Sequence, residues 1–539
     1  MKGHREKSPR NGSRPERLLI IGVDGASYDL VRAWIEKGEL KTLGRLKEEG
    51  AFGLLRSTNP PVTFPAVPSF ITGKGPGGHG ISSFFRPNTD GLLGLVDSTK
   101  MDGEFWNIGT LRDKKKIIVN LPLTYPAKKV NGWVVADALT PSKQDPGFLY
   151  PASLREELGG LLDAYEIDAD MAYLPGMERK YLNACKNVMS ARIALTRHLM
   201  RTKDWDITIL FLTILDRLQH FLFGRDGNSW LLEGYKHVDE AIGELIKNEG
   251  SGTHVLVFSD HGFGRSKGRF YPNSWLERNG FLHFKRSRSS GDKATGLRAM
   301  KKRLVPNIRS LQFNDAVCWL CARVPNAIIK KGVTIIEGMQ DAYDLHAVDM
   351  TQTKAYATIN GIYVNAKSKK ERQRTTDEVI RGLQGLEHPA TGARLHVHVS
   401  LKEYVYHGRY LDKMPDILYS IEGYSFEPFA SFEPQEPIQV FGRMARGWHR
   451  EEGILFACGP NFKHQILEGA RIEDIAPTIL RFFGQPRPKD MDGRALTGLF
   501  IDGPGAVLGH GPNTDPDAQD PERTKVANAA RCLAQKRRL

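Results

Sequence analysis

Three aspartates of the sequence each follow an apolar run with the composition of a buried strand. Asp24 comes after LLIIGV, Asp216 after ITILFLTIL and Asp260 after HVLVFS. In an open parallel sheet, loops at the carboxyl ends of the strands converge on a ligand crevice, so we expect these carboxylates at one edge. Each aspartate taken singly is also a favoured helix N-cap after a strand.

Histidines accompany these aspartates. His220 is four residues after Asp216, so a helix starting at DRLQH would place both on one face, where they can chelate one ion. His261 directly follows Asp260 in SDHGFG, and His449 lies in GWHREEG, just before the apolar run GILFA. Together with Asp24, these residues offer six oxygen and nitrogen ligands and no thiolate, a set that suits zinc, manganese or iron. The set predicts two divalent ions, as in many phosphoryl-transfer enzymes.

Thr63, in PPVTFPAVPSFITG, is the candidate nucleophile. A threonine placed before Phe64 and Pro65 is also a good helix N-cap, with proline near the helix start. The two interpretations are compatible, because a hydroxyl at a helix N-terminus lies where amide donors favour an anion. A nearby metal would lower the pKa of the hydroxyl, and the resulting alkoxide could attack phosphorus.

The elements that must position these residues alternate between strands and helices. The run RLLIIGV at 17–23 is typical of a strand buried on both faces, and further buried strands are predicted at 207–215 and 254–259. Helices are predicted at 29–49 and 177–202. The alternation predicts an α/β fold with a large, mostly parallel central sheet and helices on both faces.

Shifts in composition predict the organisation of the chain. The stretch from about 285 to 343 is basic and helical without a buried strand, and residues 502–521 are rich in glycine, proline and aspartate. We therefore predict a disordered basic leader at 1–16, a core at 17–284, a helical cap insertion at 285–345, a second part of the core with a small subdomain at 346–501, and a linker and basic tail at 502–539.

Composition excludes several classes of protein. Five scattered cysteines in 539 residues argue against a secreted disulfide framework and for a reducing compartment. Cys318 and Cys321 form a CxxC inside an apolar helical pattern, which we interpret as helix core. The charged N-terminus is not a signal peptide, and no apolar run reaches the roughly 18 residues that span a bilayer. These features predict a cytoplasmic protein without a transmembrane segment.

The formal net charge of +14 indicates an attraction for anions. Basic residues are spread along the chain, and no aromatic-interleaved RNA-binding signature is found, so no specific nucleic acid is expected. The predicted partner is a small phosphorylated substrate, and the sequence leaves the oligomeric state open.

The motifs occur in an order that resembles a known family. Asp24, TFPxxxxxxTG at 63–73, PxxHGI at 76–81, DxxxH at 216–220, SDHG at 259–262 and the late His449 resemble the metal and nucleophile motifs of the type I phosphodiesterase/nucleotide pyrophosphatase family. This family belongs to the alkaline phosphatase superfamily. The segments NLPLTYPA, GWHREEGILFACGP and IEDIAPTILRFFGQPRPKDMDG are also similar, so the resemblance covers about residues 17–500.

The resemblance implies a role for each of these residues. One metal would be held by Asp216, His220 and His449, and the other by Asp24, Asp260 and His261, with Thr63 facing both as a further oxygen ligand. The family usually carries zinc at both positions. The implied mechanism is in-line attack by Thr63 on phosphorus, a phosphothreonine intermediate, and its hydrolysis.

The chain departs from the family pattern at two positions. Family members typically carry an asparagine shortly after HGI, where this chain has Phe84, and their TFPN reads TFPA here, with Ala66 last. These departures leave nucleotide specificity open, and the backbone N–H of Phe64 remains as a candidate donor to a phosphate oxygen. Thr124 and Tyr125, in LPLTYPA, are candidate substrate contacts, with loop packing as the alternative.

Three other functions compete with this interpretation. A formylglycine sulfatase is disfavoured, because Thr63 stands where that enzyme needs Cys or Ser. A metal-dependent phosphomonoesterase or phosphomutase would require an extra cation over the phosphate, for which Arg86 or Arg217 are candidates. An alternative of another class is a catalytically degenerate protein that binds an anionic polymer or a membrane, against which the complete ligand set argues.

Overall fold

The computed structural model of the chain describes residues 16–87, 93–169, 171, 173–174, 176–247, 249–250, 252–285, 348–432, 436–441 and 446–501. Several predicted features lie outside the described residues: 1–15 of the leader, 286–345 of the cap insertion, the linker and tail at 502–539, and the CxxC residues Cys318 and Cys321.

The described residues form twenty strands, numbered in chain order. They are β1 (Arg17–Val23), β2 (Ala51–Arg56), β3 (Phe85–Pro87), β4 (Leu93–Leu95), β5 (Lys116–Val119), β6 (Gly132–Val135), β7 (Leu149–Tyr150), β8 (Ile207–Leu212), β9 (Thr253–Phe258), β10 (Gly262–Arg265), β11 (Gly268–Phe270), β12 (Ala355–Thr358), β13 (Gly361–Val364), β14 (Val397–Leu401), β15 (Ile417–Ile421), β16 (Phe426–Pro428), β17 (Ile438–Val440), β18 (Gly447–Arg450), β19 (Glu452–Cys458) and β20 (Gln465–Arg471).

The same residues form thirteen α-helices, joined in places by short 3₁₀ turns. They are α1 (Tyr28–Glu36), α2 (Lys41–Glu49), α3 (Thr63–Thr72), α4 (Pro76–His79), α5 (Leu154–Leu158), α6 (Gly160–Asp163), α7 (Glu178–Thr202), α8 (Ile214–Leu222), α9 (Ser229–Lys247), α10 (Pro272–Arg278), α11 (Lys369–Gln384), α12 (Lys402–Val405) and α13 (Ile475–Phe482).

Nine strands form the central sheet, in the order β20-β2-β19-β9-β1-β8-β5-β6-β7. β1 pairs in parallel with β8 and β9, β5 with β6 and β8, and β2 with β20. Only two of the nine strands run in the opposite direction: β19, which lies between β2 and β9, and β7, at the edge. The prediction of a large, mostly parallel sheet is confirmed.

The sheet is buried on both faces by helices. Side chains of β1 alternate between two cores: Leu19 and Ile21 pack with residues of α1, α2, α7, α8 and α9. Leu18 and Ile20 pack instead with residues of α3 and α13 on the other face. Because the strand is covered twice, it needs apolar residues at every position, which is why its sequence is a continuous apolar run.

A second, smaller sheet packs on α11. Its four strands have the order β12-β13-β15-β14, and all the pairings are antiparallel. Its core includes Ala355, Ile362, Val379 and Ile417, none of which is exposed. This sheet lies in the stretch where a small subdomain was predicted; the predicted domain boundaries stay predictions.

Two predicted elements have different bounds in the structure. The helix predicted at 29–49 is two helices, α1 and α2, because Gly38 adopts a left-handed conformation (φ +72°) that ends α1. The strand predicted at 207–215 ends at Leu212, and its last apolar residues begin α8, where Ile214 and Leu215 are buried. A short apolar run does not distinguish a strand from the start of a buried helix.

Candidate active site

Adjacent strands bring the three predicted carboxylates to one edge of the central sheet. β9, β1 and β8 are neighbours and run in parallel, so their carboxyl ends lie side by side. Asp24 directly follows β1, Asp260 lies two residues after β9, and Asp216 is in the first turn of α8, just after β8.

His449 reaches the same edge through a strand of opposite direction. β19 is antiparallel to β9, so its amino end lies beside the carboxyl end of β9. β18 immediately precedes β19 and carries His449, which pairs across the β10–β18 ladder with Phe263. His261 lies two residues before Phe263, so this antiparallel ladder places both histidines near Asp260.

The first cluster consists of Asp216, His220 and His449. The Nε2 atoms of His220 and His449 each lie 3.3 Å from Asp216 Oδ1, and they are 3.2 Å from one another. Asp216 and His220 lie on one face of α8 at i and i+4, as expected from the spacing in DRLQH. Three ligand atoms from two distant parts of the chain therefore converge on one point.

The second cluster consists of Asp24, Asp260 and His261, all of them buried. His261 Nε2 lies 3.4 Å from Asp24 Oδ1 and 3.6 Å from Asp260 Oδ2. His261 Nδ1 is 3.1 Å from the carbonyl oxygen of Gly262, to which it can only donate. The neutral imidazole therefore presents an unprotonated Nε2 to the carboxylates, which is the form that binds a metal.

Thr63 lies beside the point where the two clusters meet. The rings of His261 and His449 stack with a centroid distance of 4.0 Å, and Thr63 Oγ1 is 3.4 Å from His261 Nε2. The N-cap interpretation of Thr63 is wrong in detail: Val62 holds the cap position, and Thr63 is the first residue of α3. Phe64 departs from helical geometry (φ −104°, ψ 77°), so the regular helix starts only after it.

The electrostatics of the clusters are unfavourable without a cation. Burial, and then the neighbouring carboxylates, raise the pKa of Asp24 well above its usual range, and burial also raises the pKa of Asp260. Burial lowers the pKa of His261 to about 4. Although burial opposes it, the contacts with His220 and His449 hold the pKa of Asp216 well below its usual range. Concentrated buried acids with shifted pKa values, beside imidazoles, are characteristic of functional sites.

Three buried carboxylate oxygens of the clusters accept no hydrogen bond from any residue that the structure describes: Asp24 Oδ1, Asp216 Oδ1 and Asp260 Oδ2. A buried polar atom without a partner costs free energy, so these atoms call for a ligand. In each cluster the three ligand atoms lie within 4.8 Å of one another. Mixed imidazole and carboxylate donors at this spacing fit one divalent cation per cluster.

Phe64 and Phe84 form an aromatic pair next to Thr63. Their ring centroids are 3.9 Å apart, with the planes tilted by 30°. Phe84 therefore contributes an apolar surface at the position where family members typically carry an asparagine. The role of the Phe64 N–H as a donor to a phosphate oxygen stays a prediction.

Thr124 and Tyr125 are engaged within their own loop. The Thr124 hydroxyl donates to the carbonyl oxygen of Leu121 at 2.6 Å, and its backbone N–H donates to Asp137. Tyr125 packs against the core of one sheet face. These contacts favour loop packing, and the substrate contacts stay a prediction. Arg217, the alternative phosphate-binding cation, pairs with Asp168 at 2.6 Å.

Gln219 supports the site but was missed in the sequence. Its amide Nε2 donates to the carbonyl oxygen of Gly25 at 2.7 Å, and its Oε1 accepts from the Tyr235 hydroxyl at 3.0 Å. The N–H of Gly25 donates in turn to Asp260 Oδ1, so Gln219 holds the turn that follows Asp24. Gln219 lies three residues after Asp216, so the two residues share one face of the helix. This spacing was the feature of the sequence that could have indicated a role for Gln219 in the site.

The sequence and the fold resemble those of known proteins. Residues 18–433 match the profile of the type I phosphodiesterase/nucleotide pyrophosphatase family. The chain belongs to this family. As a member, it is a hydrolase of the phosphodiesterase/pyrophosphatase type. No curated protein sequence was found to match the chain.

Several solved structures are similar to this chain. Murine ectonucleotide pyrophosphatase/phosphodiesterase 5 shares 14% identity and a TM-score of 0.50, covering 88% of this chain and 96% of that one. An inactive threonine-to-alanine variant of the murine protein, in complex with AMP, shares 13% identity and a TM-score of 0.50, covering 86% and 94%. Phosphonoacetate hydrolase from Sinorhizobium meliloti has a TM-score of 0.49 at 15% identity, covering 86% and 96%.

Among the helices that the structure describes, none combines the length and the apolar character needed to cross a membrane. The predicted cytoplasmic location stays a prediction.

Proposed function

We propose that this family member is a two-metal hydrolase that cleaves phosphodiester or nucleotide pyrophosphate bonds through a covalent phosphothreonine on Thr63. One observation carries the proposal: two three-residue clusters of metal-ligand type meet beside a single buried hydroxyl. That hydroxyl, Thr63 Oγ1, lies 3.4 Å from His261 Nε2. Paired ions on either side of a nucleophile are a recurring solution to phosphoryl transfer.

The two clusters would each hold one ion, and we propose zinc at both positions. Asp216, His220 and His449 would hold the first ion; Asp24, Asp260 and His261 would hold the second, with the hydroxyl of Thr63 facing both. The donor set supports zinc, because imidazole and carboxylate groups are its usual oxygen and nitrogen ligands, while manganese and iron accept the same set. When bound, the ions supply Lewis-acid stabilisation of the charge that develops on the phosphate oxygens.

The residues of the chain carry out the bond changes. Thr63 Oγ1 loses its proton and forms a bond to phosphorus while the bond from phosphorus to the leaving oxygen breaks, so that the leaving group departs carrying one proton. The backbone N–H of Phe64 donates to a phosphate oxygen. A water molecule then cleaves the bond between phosphorus and Oγ1. This second step releases the phosphorylated product and restores the Thr63 hydroxyl.

The substrate is proposed from the family and from charge. A small phosphorylated molecule is favoured, since the net charge of +14 attracts anions. The inactive threonine-to-alanine variant of the murine relative was captured with AMP, which supports a nucleotide as one member of the substrate panel. The aromatic pair of Phe64 and Phe84 would present an apolar surface to whatever group lies next to the phosphate.

The decisive test is Thr63→Ala. We expect turnover of bis-p-nitrophenyl phosphate to fall by roughly 10³-fold or more, because the variant has no oxygen to accept phosphorus. Bound metal, measured by inductively coupled plasma mass spectrometry, should stay at two ions per chain. Thr63→Ser, which keeps a hydroxyl, should retain a measurable part of the activity and form a phosphoserine.

Three outcomes would contradict parts of the proposal. Full hydrolysis by Thr63→Ala would remove Thr63 from the mechanism. Faster turnover of p-nitrophenyl phosphate than of the diester would favour the phosphomonoesterase alternative. Purified protein that lacks metal, hydrolyses nothing and still binds an anionic polymer would favour the alternative of a degenerate binding protein. Loss of both metal and activity in Asp260→Ala would rule out that alternative.

A further inference from the structure

A turn that leads out of the small sheet contacts both the strand that carries His449 and the loop that leads to Thr63. This turn, at residues 422–425, connects β15 to β16. The carbonyl oxygen of Tyr424 accepts a hydrogen bond from Arg450 Nη1 at 2.7 Å. The hydroxyl of the same tyrosine donates to Asn59 Oδ1 at 2.9 Å. Tyr424 therefore bonds to two segments that are far apart in sequence.

Arg450 fixes the backbone of β18 at His449. Its Nη1 donates to the carbonyl oxygens of His449 at 2.8 Å and Trp448 at 3.1 Å. Its Nη2 donates to the carbonyl oxygen of Arg265 at 2.7 Å and to Ser425 Oγ at 3.2 Å. All these acceptors are uncharged. Burial lowers the pKa of Arg450 to about 10, so the guanidinium still carries its charge at neutral pH.

Asn59 holds the loop that leads from β2 into α3. It receives the Tyr424 hydroxyl on its side chain and the Tyr406 hydroxyl, at 2.5 Å, on its carbonyl oxygen. Asn59 precedes Thr63 by four residues, with Pro60 and Pro61 in between. Because proline restricts the backbone dihedral φ, this segment has few rotatable bonds that could absorb a displacement of Asn59. A displacement of Asn59 therefore also moves Thr63.

The turn adopts a backbone conformation that costs free energy. Glu422, Gly423 and Tyr424 have φ values of +50°, +58° and +63°, and two of these residues are not glycine. Two hydrogen bonds with the backbone of His396 hold Glu422 in this conformation. The N–H of Glu422 donates to the carbonyl oxygen of His396 at 2.8 Å, and the Glu422 carboxylate accepts the N–H of His396 at 2.9 Å. Strained conformations that neighbouring contacts enforce are typical of functional regions.

We propose that Tyr424 and Arg450 are positioning residues that set the placement of Thr63 relative to His449. The inference rests on the proposed function, since the position of Thr63 relative to His449 matters only if Thr63 is the nucleophile and His449 a metal ligand. Arg450 fixes the strand of the ligand, Asn59 fixes the loop of the nucleophile, and Tyr424 bonds to both. The small sheet thereby contributes to catalysis without touching the reacting atoms.

The test begins with Tyr424→Phe, which removes the donor to Asn59 and keeps the ring. We expect kcat for bis-p-nitrophenyl phosphate to fall about tenfold, with KM within about twofold of the parent value, because misplacement of a reacting group acts on the chemical step. Metal content should stay at two ions per chain. The matched control is Tyr419→Phe, because the buried Tyr419 hydroxyl of β15 has no hydrogen-bond partner among the described residues; its kcat should equal that of the parent.

A double-mutant cycle separates positioning from a general loss of stability. Tyr424→Phe and Asn59→Ala each remove the same hydrogen bond, so the double variant should be no slower than the slower single variant. Additive losses, equal losses in Tyr424→Phe and Tyr419→Phe, or an unchanged kcat in Tyr424→Phe would overturn the proposal.

The outcome is distinguishable from failure of the proposed function. If Thr63→Ala is inactive while Tyr424→Phe keeps the parent kcat, the positioning role alone is wrong. If Thr63→Ala keeps full activity, the proposed function is wrong and the positioning role is overturned with it. Arg450→Lys extends the test: it keeps the charge but cannot reach all the acceptors, so its kcat should fall at constant metal content.

Discussion

His79 is a buried imidazole outside the two metal clusters that supports the helix carrying Thr63. Its Nδ1 accepts the N–H of Ile81 at 3.1 Å, so its Nε2 carries the proton and donates to Ser69 Oγ of α3 at 3.1 Å. Burial lowers the pKa of His79 to about 3, from 6.5 in the unfolded chain. The folded protein therefore needs His79 neutral, since protonation of Nδ1 would break the bond with Ile81.

We predict that His79→Asn makes the protein less sensitive to acid. Below pH 6.5 the unfolded chain binds a proton at His79, while His79 of the folded chain stays neutral down to about pH 3. The free energy of unfolding therefore decreases as the pH is lowered through this window. Asparagine can accept the Ile81 N–H and does not titrate. The parent should therefore lose up to about 1.4 kcal/mol more per pH unit than the variant, measured by urea unfolding between pH 7 and pH 4. Parallel stability curves would contradict this role.

Residues adjacent to strand ends were predictable from the sequence, and residues that act through tertiary contacts were not. Asp24 and Asp260 follow apolar runs within two residues, and the fold brings such positions together. Tyr424 gives no comparable signal, because its partner Asn59 lies 365 residues away in the chain.

Gly22 allows the three strands at the centre of the site to pack closely. A Cβ at this position of β1 would lie 2.2 Å from Phe211 Cδ2 of β8 and 3.2 Å from Phe258 Cζ of β9. Both rings belong to the core on one face of the sheet. Since Asp24 lies two residues further on, the space at Gly22 bears directly on the position of a proposed metal ligand.

We predict that Gly22→Ala destabilises the fold by about 1–3 kcal/mol, because the rings of two neighbouring strands must move to admit the methyl group. The affinity of the second cluster for metal should also weaken, since the end of β1 shifts with them. Urea unfolding and competition with a chelator measure the two effects. Gly160→Ala is the control, because its added Cβ would have no described atom within 4 Å other than atoms of its chain neighbours and of its own helix backbone; equal effects in both variants would refute the packing argument.

At the scale of elements, the existence of the long strands was easier to predict than their direction. β9 and β19 are both continuous apolar runs, yet one is parallel to β1 and the other is antiparallel to β9. Burial on two faces gives both directions the same composition. The short β10–β18 ladder was not predicted, because its strands are far apart in the sequence and contain glycine, histidine and arginine rather than an apolar or alternating pattern.

At the scale of the whole molecule, the described residues that flank the stretch 286–347 lie next to each other in the fold. Phe284 and Val348 form an antiparallel bridge, and the N–H of Asp349 donates to the carbonyl oxygen of His283 at 2.8 Å. Phe281 and Leu282, just before this point, are part of the core of the small sheet. These contacts hold the described residues on the two sides of the stretch together and do not involve residues 286–347.

We predict that residues 286–347 can be replaced by a short glycine-serine linker. Bridge partners lie about 5 Å apart, a distance that a linker of roughly four to six residues spans easily. The melting temperature, the metal content and the turnover of bis-p-nitrophenyl phosphate should remain close to those of the parent. Selectivity across a panel of nucleotides, lipid phosphodiesters and sugar phosphates should change, because we expect the predicted helical cap insertion to select the substrate. Unchanged selectivity or failure to fold would contradict the prediction.

The position of β19 has a consequence for the order in which the enzyme matures on the ribosome. β19 is the nineteenth of the twenty described strands, yet it inserts between β2 and β9 and is the only link between the pair β20-β2 and the other strands of the described central sheet. β2 leads into the threonine loop, and His449 enters just before β19. A nascent chain thus cannot complete the described central sheet beside Thr63 until residues near 458 have emerged from the ribosome.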